Sequence, residues 1–204
     1  MEKWGTKTMS ETAGVIGLGI MGSAFARNLA AAGWDVIGYD IDAGQIDALA
    51  GTGVRFETSP VSVAEAAGVV VTSLPSPAAF HGVMSGPGGI IECGRDGLIV
   101  IDTCTLSLED KQAGFDALAE KSITLLDCPV SGTGAQAADG DLAILASGEE
   151  GAYQKALPVL RPWVLSARLC CRPNPGNRLN NIAAKIERIC LPAAHKWKNG
   201  GPRP

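Results

Sequence analysis

Six short aliphatic runs punctuate the chain: AGVIGL, DVIGYD, VVVTSL, LIVIDT, ITLLDC and LAILAS. Each is too short for a helix and continuous rather than alternating, as strands covered on both faces are. Between them lie MGSAFARNLAAAG, SVAEAAG and LSLEDKQAGFDALAEKS, Ala-rich or amphipathic and long enough for crossover helices. The βαβ alternation predicts an α/β fold, a doubly wound (Rossmann), mostly parallel sheet with helices on its faces. Gly33 follows AFARNLAAA where a left-handed C-cap residue is expected. Asn28, inside that helix, is expected to face solvent. Residues 1–12 carry no period and read as a loose tail, with Met9 as an alternative start.

Composition agrees with this reading. A length of 204 residues suits one domain, or one domain and a fragment of another. Hydrophobic residues at 46% with 26 glycines and only 5% aromatics imply an aliphatic core threaded by tight turns. No apolar run reaches the roughly 18 residues of a membrane helix. MEKWGTKTMSET lacks the apolar centre of a secretory signal, so a cytoplasmic chain with no membrane partner is expected. Cys93, Cys104, Cys128, Cys170, Cys171 and Cys190 show no C-x-x-C spacing, which points to buried free thiols rather than a metal or redox site.

The formal net charge of -4 speaks against general nucleic-acid binding, but it is unevenly spread. Residues 161–204 hold nine basic residues and one acid, Glu187, against eight basic and twenty acidic residues in 1–160. This break predicts a domain over 13–160 and a basic, Pro/Arg-rich extension over 161–204. The cations could form an arm for nucleic acid or an acidic partner, yet no interleaved aromatics accompany them, and nucleic acid is not expected as a partner.

The chemistry begins at VIGLGIMGSAFARN. Gly17, Gly19 and Gly22 form G-x-G-x-x-G between a strand and a helix, with Leu18, Ile20 and Met21 filling the turn. The first glycine permits the turn, the second lets the backbone approach a pyrophosphate, and the third lets helix and strand pack closely. Free N–H groups at the helix start would face the phosphates. Asp40 ends the second strand at the spacing expected of the acid that accepts from the adenosine ribose 2′-OH. Its charge would repel a 2′-phosphate, and no arginine follows, so NAD is expected over NADP. The plain alternative is a structural turn ending in a surface carboxylate.

With these motifs in view, the chain resembles the β-hydroxyacid dehydrogenase family, which includes 3-hydroxyisobutyrate dehydrogenase and 6-phosphogluconate dehydrogenase. TSLPSP (72–77), IDTCT (101–105) and DCPVSGTGAQAADGDL (127–142) fall where that family has its own segments. The resemblance covers about residues 13–160. It implies that Leu74 and Pro75 lie along the cofactor through their backbone, and that the Thr105 hydroxyl lies near the nicotinamide. Pro75 could otherwise simply end a strand, and Thr105 could cap a helix starting near Leu106. Cys104 replaces the family's usual serine. The resemblance also implies that Ser131 and Gly132 hold the substrate carboxylate or hydroxyl, with Thr133 standing where a second glycine is usual. His81 is read as a solvent-facing helix histidine rather than an acid or base.

The family's catalytic lysine starts a long helix of a second, all-helical domain. Here PGNRLNNIAAKIERI places Asn180 near the lysine position and Ala184 at the following asparagine. An amide cannot exchange protons near neutral pH, Arg178 is too basic, and Lys185 is over a helical turn away. The catalytic residue is therefore unassigned, and a truncation or frameshift after about residue 160 is the expectation. The implied activity is hydride transfer between a nicotinamide cofactor and a small 3-hydroxy acid. The alternative is a non-catalytic NAD-binding module. A homo-oligomer is left open.

Overall fold

The computed structural model describes residues 12–171, with side chains as far as 164. Asn180, Ala184, Lys185 and Cys190 lie outside the described residues, as does nearly all of the tail read over 1–12. The chain alternates strand and helix: β1 (Thr12–Ile16), α1 (Ile20–Ala31), β2 (Asp35–Tyr39), α2 (Ala43–Asp47), β3 (Arg55–Phe56), α3 (Pro60–Ala66), β4 (Val69–Thr72) and α4 (Pro77–Ser85). It continues through β5 (Ile99–Asp102), α5 (Leu108–Ala119), β6 (Thr124–Asp127), β7 (Val130–Ser131), α6 (Gly134–Ala138), β8 (Leu142–Ser147), α7 (Glu150–Leu160) and β9 (Val164–Cys171).

All six aliphatic runs are strands of one sheet, ordered β3-β2-β1-β4-β5-β6-β8-β7, with β9 beside β8. The pairs from β3 to β6 are parallel, as buried runs joined by helices must be. LAILAS departs from the parallel set: β8 runs antiparallel to β6 and β7, and only β9 is parallel to it. The mostly parallel doubly wound fold stands.

Because β2 and β4 flank β1, the winding reverses there, and a crevice opens at the carboxyl ends of β1 and β4. Two apolar layers cover the sheet. One gathers Leu18, Phe25, Leu29, Leu126 and Trp163; the other gathers Ile16, Ile37, Phe80, Met84 and Leu118. The break in composition at Arg161 does not coincide with the end of packing. Trp163 is fully buried with its ring 4.1 Å from that of Phe25, and β9 extends the sheet to Cys171.

Gly33, with φ +87, follows Ala32 at the end of α1, as expected of a left-handed C-cap residue. Asn28 does not simply face solvent: its Nδ2 donates to the Ala137 carbonyl at 2.8 Å and ties α1 to α6. Cys93, Cys104 and Cys128 are buried free thiols. Among the described residues no helix is long and apolar enough to cross a membrane.

Candidate functional site

The fold requires two glycines of the turn and leaves the third free. Gly17 has φ +86, and a Cβ there would strike the Ser73 carbonyl just past β4. At Gly22 a Cβ would overlap the Gly17 carbonyl, so helix and turn could not close on each other. Gly19 is different, because nothing in the protein lies within 4 Å of its would-be Cβ. The fold tolerates a side chain there; the space is free for something outside the protein. Gly19 is also the N-cap of α1 and offers no side-chain cap, so the first-turn N–H groups stay available to an anion.

Asp40 follows β2 and closes the turn from its other side. Its Oδ2 accepts from the Leu18 N–H at 2.6 Å and its Oδ1 from the Asp42 N–H at 2.9 Å. Each oxygen keeps a second acceptor direction, enough for a sugar hydroxyl. Leu18 is fully buried, while Ile20 and Ile41 stand out at 78% and 89% exposure beside the turn and the acid. Met21 is half-buried.

The next loops converge on this point. Leu74 donates its N–H to Cys104 Sγ at 3.1 Å, and its side chain lies against Gly17. Pro75 is exposed in the same loop, and Ser76, not Pro75, marks the next element by capping α4. Thr103 pins the neighbouring loop to β4 with both its N–H and its hydroxyl on the Thr72 carbonyl, at 3.0 and 2.8 Å. Thr105 is exposed in that loop. It does not cap the following helix: α5 starts at Leu108, and Ser107 Oγ accepts from the Asp110 N–H at 3.1 Å.

Ser131, Gly132 and Thr133 are exposed together after β6. Gly132 adopts φ +150, and Thr133 begins α6 with a capping box in which it and Gln136 bond reciprocally. Gly134 has only 2.6 Å between its would-be Cβ and Ile20 Cγ2, which seats this loop directly beside the glycine turn. The predicted cofactor and substrate residues therefore share one crevice, from segments up to 116 residues apart along the chain.

His81 is not merely solvent-facing: it pairs with Asp110 at 2.8 Å, joining α4 to α5. Sequence reasoning missed a buried charge cluster under the same strand ends. Lys111, 3% exposed, hydrogen-bonds Asp102 Oδ2 and lies 2.7 Å from Asp127 Oδ1, within ion-pair reach but off the hydrogen-bond direction. Burial alone would lower the Lys111 pKa, but the two carboxylates outweigh it and raise the value. Burial holds the Asp127 carboxyl above its usual range, and it pushes the Cys104 and Cys128 thiols well up.

Residues 12–171 match the family described as the NAD binding domain of 6-phosphogluconate dehydrogenase. The 2-(hydroxymethyl)glutarate dehydrogenase of Eubacterium barkeri is 33% identical over 147 residues, 72% of this chain and 49% of that protein. A probable mitochondrial 3-hydroxyisobutyrate dehydrogenase of Dictyostelium discoideum is 34% identical over 147 residues, 72% of this chain and 46% of that one. The chain spans about half the length of these curated relatives. Among solved structures, the 3-hydroxyisobutyrate dehydrogenase of Mycobacterium tuberculosis with L-serine superposes with a TM-score of 0.78. It is 28% identical, over 93% of this chain and 62% of that one.

Proposed function

We propose a function from one premise: the chain belongs to the family of the NAD-binding domain of 6-phosphogluconate dehydrogenase. The crevice holds a nicotinamide dinucleotide, with the pyrophosphate over Gly19 and the start of α1 and the adenosine ribose on Asp40. The single observation that carries this is the open space at Gly19, flanked by two glycines that the fold itself demands.

NAD is the form taken. Asp40 and Asp42 put two carboxylates at the end of β2, where a 2′-phosphate would sit. Leu74, Pro75 and Thr105 line the way to the nicotinamide. Ser131, Gly132 and Thr133 would hold a small 3-hydroxy acid through a side-chain hydroxyl and backbone N–H groups, and a bound nicotinamide would supply the hydride acceptor for its oxidation. Names of the relatives support a hydroxyacid, since both are dehydrogenases of such compounds. Lys111 is not a base for that oxidation, being held by two carboxylates in the core. The protein works in the cytoplasm on a small-molecule partner, without nucleic acid or membrane, and self-association into a homo-oligomer is compatible with this role.

A second reading, a module that binds the dinucleotide without turning it over, is favoured by the resemblance that puts Asn180 near the position of the family's lysine and Ala184 at that of its asparagine. Calorimetry with NAD and NADH, followed by absorbance assays of NADH formation over a panel of 3-hydroxy acids, separates the readings. Binding with turnover supports the dehydrogenase, and binding without turnover supports the module. No affinity for either dinucleotide overturns both.

A further inference from the structure

β5 and β6 run in parallel register with Asp102 directly opposite Asp127, each the last residue of its strand. Two carboxylates side by side under a sheet end repel each other strongly unless a cation stands between them. Lys111, on the first turn of α5, fills that place. The chain of contacts continues sideways, because Thr72, the last residue of β4, donates its hydroxyl to Asp102 Oδ1 at 2.6 Å. Below, the ammonium lies 5.8 Å from the centre of the Phe80 ring, and Phe80 is seated by Gly114, whose would-be Cβ would lie 2.5 Å from it.

Three strand ends are thus tied to one helix. From those ends leave loops 73–75 and 103–107 and the segment 128–133, which includes β7, and these are the parts of the crevice beyond the glycine turn and Asp40. A buried triad with one surplus negative charge is a poor source of stability, since well-packed apolar residues often serve as well or better. What it does supply is a fixed spacing between strand ends.

We propose that Lys111 is a positioning residue, whose ammonium holds the ends of β5 and β6 in place and so sets the cofactor-side loop after Asp102 and the substrate-side loop after Asp127. The role in ligand binding rests on the function proposed above; the mechanical coupling of the loops does not. Lys111→Met removes the charge at similar length, and Asp127→Asn weakens only the β6 arm.

Hydrogen exchange of the full-length chain reads the coupling directly. In Lys111→Met, amides of 103–107 and 128–133 exchange roughly tenfold or more faster, while β1 and β2 keep their protection. In Asp127→Asn the increase is confined to 128–133, and this variant decides the matter alone if Lys111→Met fails to fold. Unchanged loops, or a uniform rise over every strand, overturns the proposal.

NADH titration by fluorescence, corrected for folded fraction, gives a second readout. Lys111→Met removes the cation that offsets burial at Asp127, so that carboxyl takes up its proton at a higher pH and NADH affinity tightens several-fold from pH 8 to pH 6 relative to wild type. A lysine that only filled space would leave the two profiles parallel. The other groups around the cluster do not imitate this: the Cys104 and Cys128 thiols stay protonated over that range, and His81, beside Phe80, is common to both proteins. Wild-type chain that fails to bind NADH while the exchange pattern holds would count against the cofactor reading alone.

Discussion

Gly19 separates what the fold needs from what a ligand needs. Its φ of -61 and ψ of -165 are open to any residue, and its would-be Cβ meets nothing. Gly19→Ala should therefore unfold within about 1 kcal/mol of wild type, while a methyl group in the phosphate path weakens NADH binding by roughly tenfold or more. Urea unfolding beside an NADH titration checks this, and equal affinity would remove the pyrophosphate from that position. Gly17→Ala is the contrast, because φ +86 and the Ser73 carbonyl strain the turn itself, and it loses stability as well as binding. Asp40→Asn should weaken NADH binding by about 1.5 to 3 kcal/mol, the worth of hydrogen bonds to a charged group, and narrow the preference for NADH over NADPH. These residues were legible because their reasons are local: three glycines, a strand end and an acid lie within one βαβ unit. Asn28 was misread, since the partner that occupies it, the Ala137 carbonyl, is 109 residues away.

At the scale of elements, long aliphatic runs were legible and short elements were not, and β9, eight residues inside the basic segment, was missed because its charge pattern reads as an extension. The six aliphatic runs are all strands, whereas β3 and β7, two residues each, carry no period to read. The α4 helix hides behind prolines at its start and Gly82 inside it, and α6 is five residues, all Gly or Ala but Gln136, given shape by its cap. The Lys111 cluster was invisible for a related reason: a lysine at a helix start normally reads as solvated, and only sheet order brings Asp102 and Asp127 together. The α6 helix also shows how an element sets a site. Its capping box and the Asn28 bond press it on α1 and hold Ser131–Thr133 beside Ile20. Thr133→Ala should cost about 1 kcal/mol in urea unfolding, and Thr133→Ser should restore it, as a hydroxyl cap requires. If serine and alanine behave alike, the hydroxyl does not hold this helix.

For the molecule as a whole, burial of ionisable groups sets a limit on the alkaline side. Cys104 and Cys128 keep their protons in the folded chain, whereas unfolded thiols release theirs above about pH 8.5. Folding therefore becomes less favourable as pH rises past that point. Lys111 acts with the same sign, because its raised pKa contributes stability that is complete below about pH 10.4, its unfolded value, and lost as pH passes through the folded one. Asp127 acts at the other end: its raised pKa means that the folded chain takes up its proton before the unfolded chain does, which softens acid unfolding. Near neutral pH the opposing contributions leave the sheet intact. Urea unfolding under reducing conditions should then show stability falling between pH 8.5 and 10, by about 2 kcal/mol for each of Cys104 and Cys128 at pH 10, taking about 1.4 kcal/mol for each pH unit of differing protonation. Replacing Cys104 and Cys128 by alanine should flatten that limb even though it lowers stability at pH 7, because the cavity cost does not depend on pH while the proton linkage does. A limb as steep in the double variant as in wild type would trace the alkaline loss to groups other than these two thiols, and not to Lys111, whose contribution is complete below about pH 10.4.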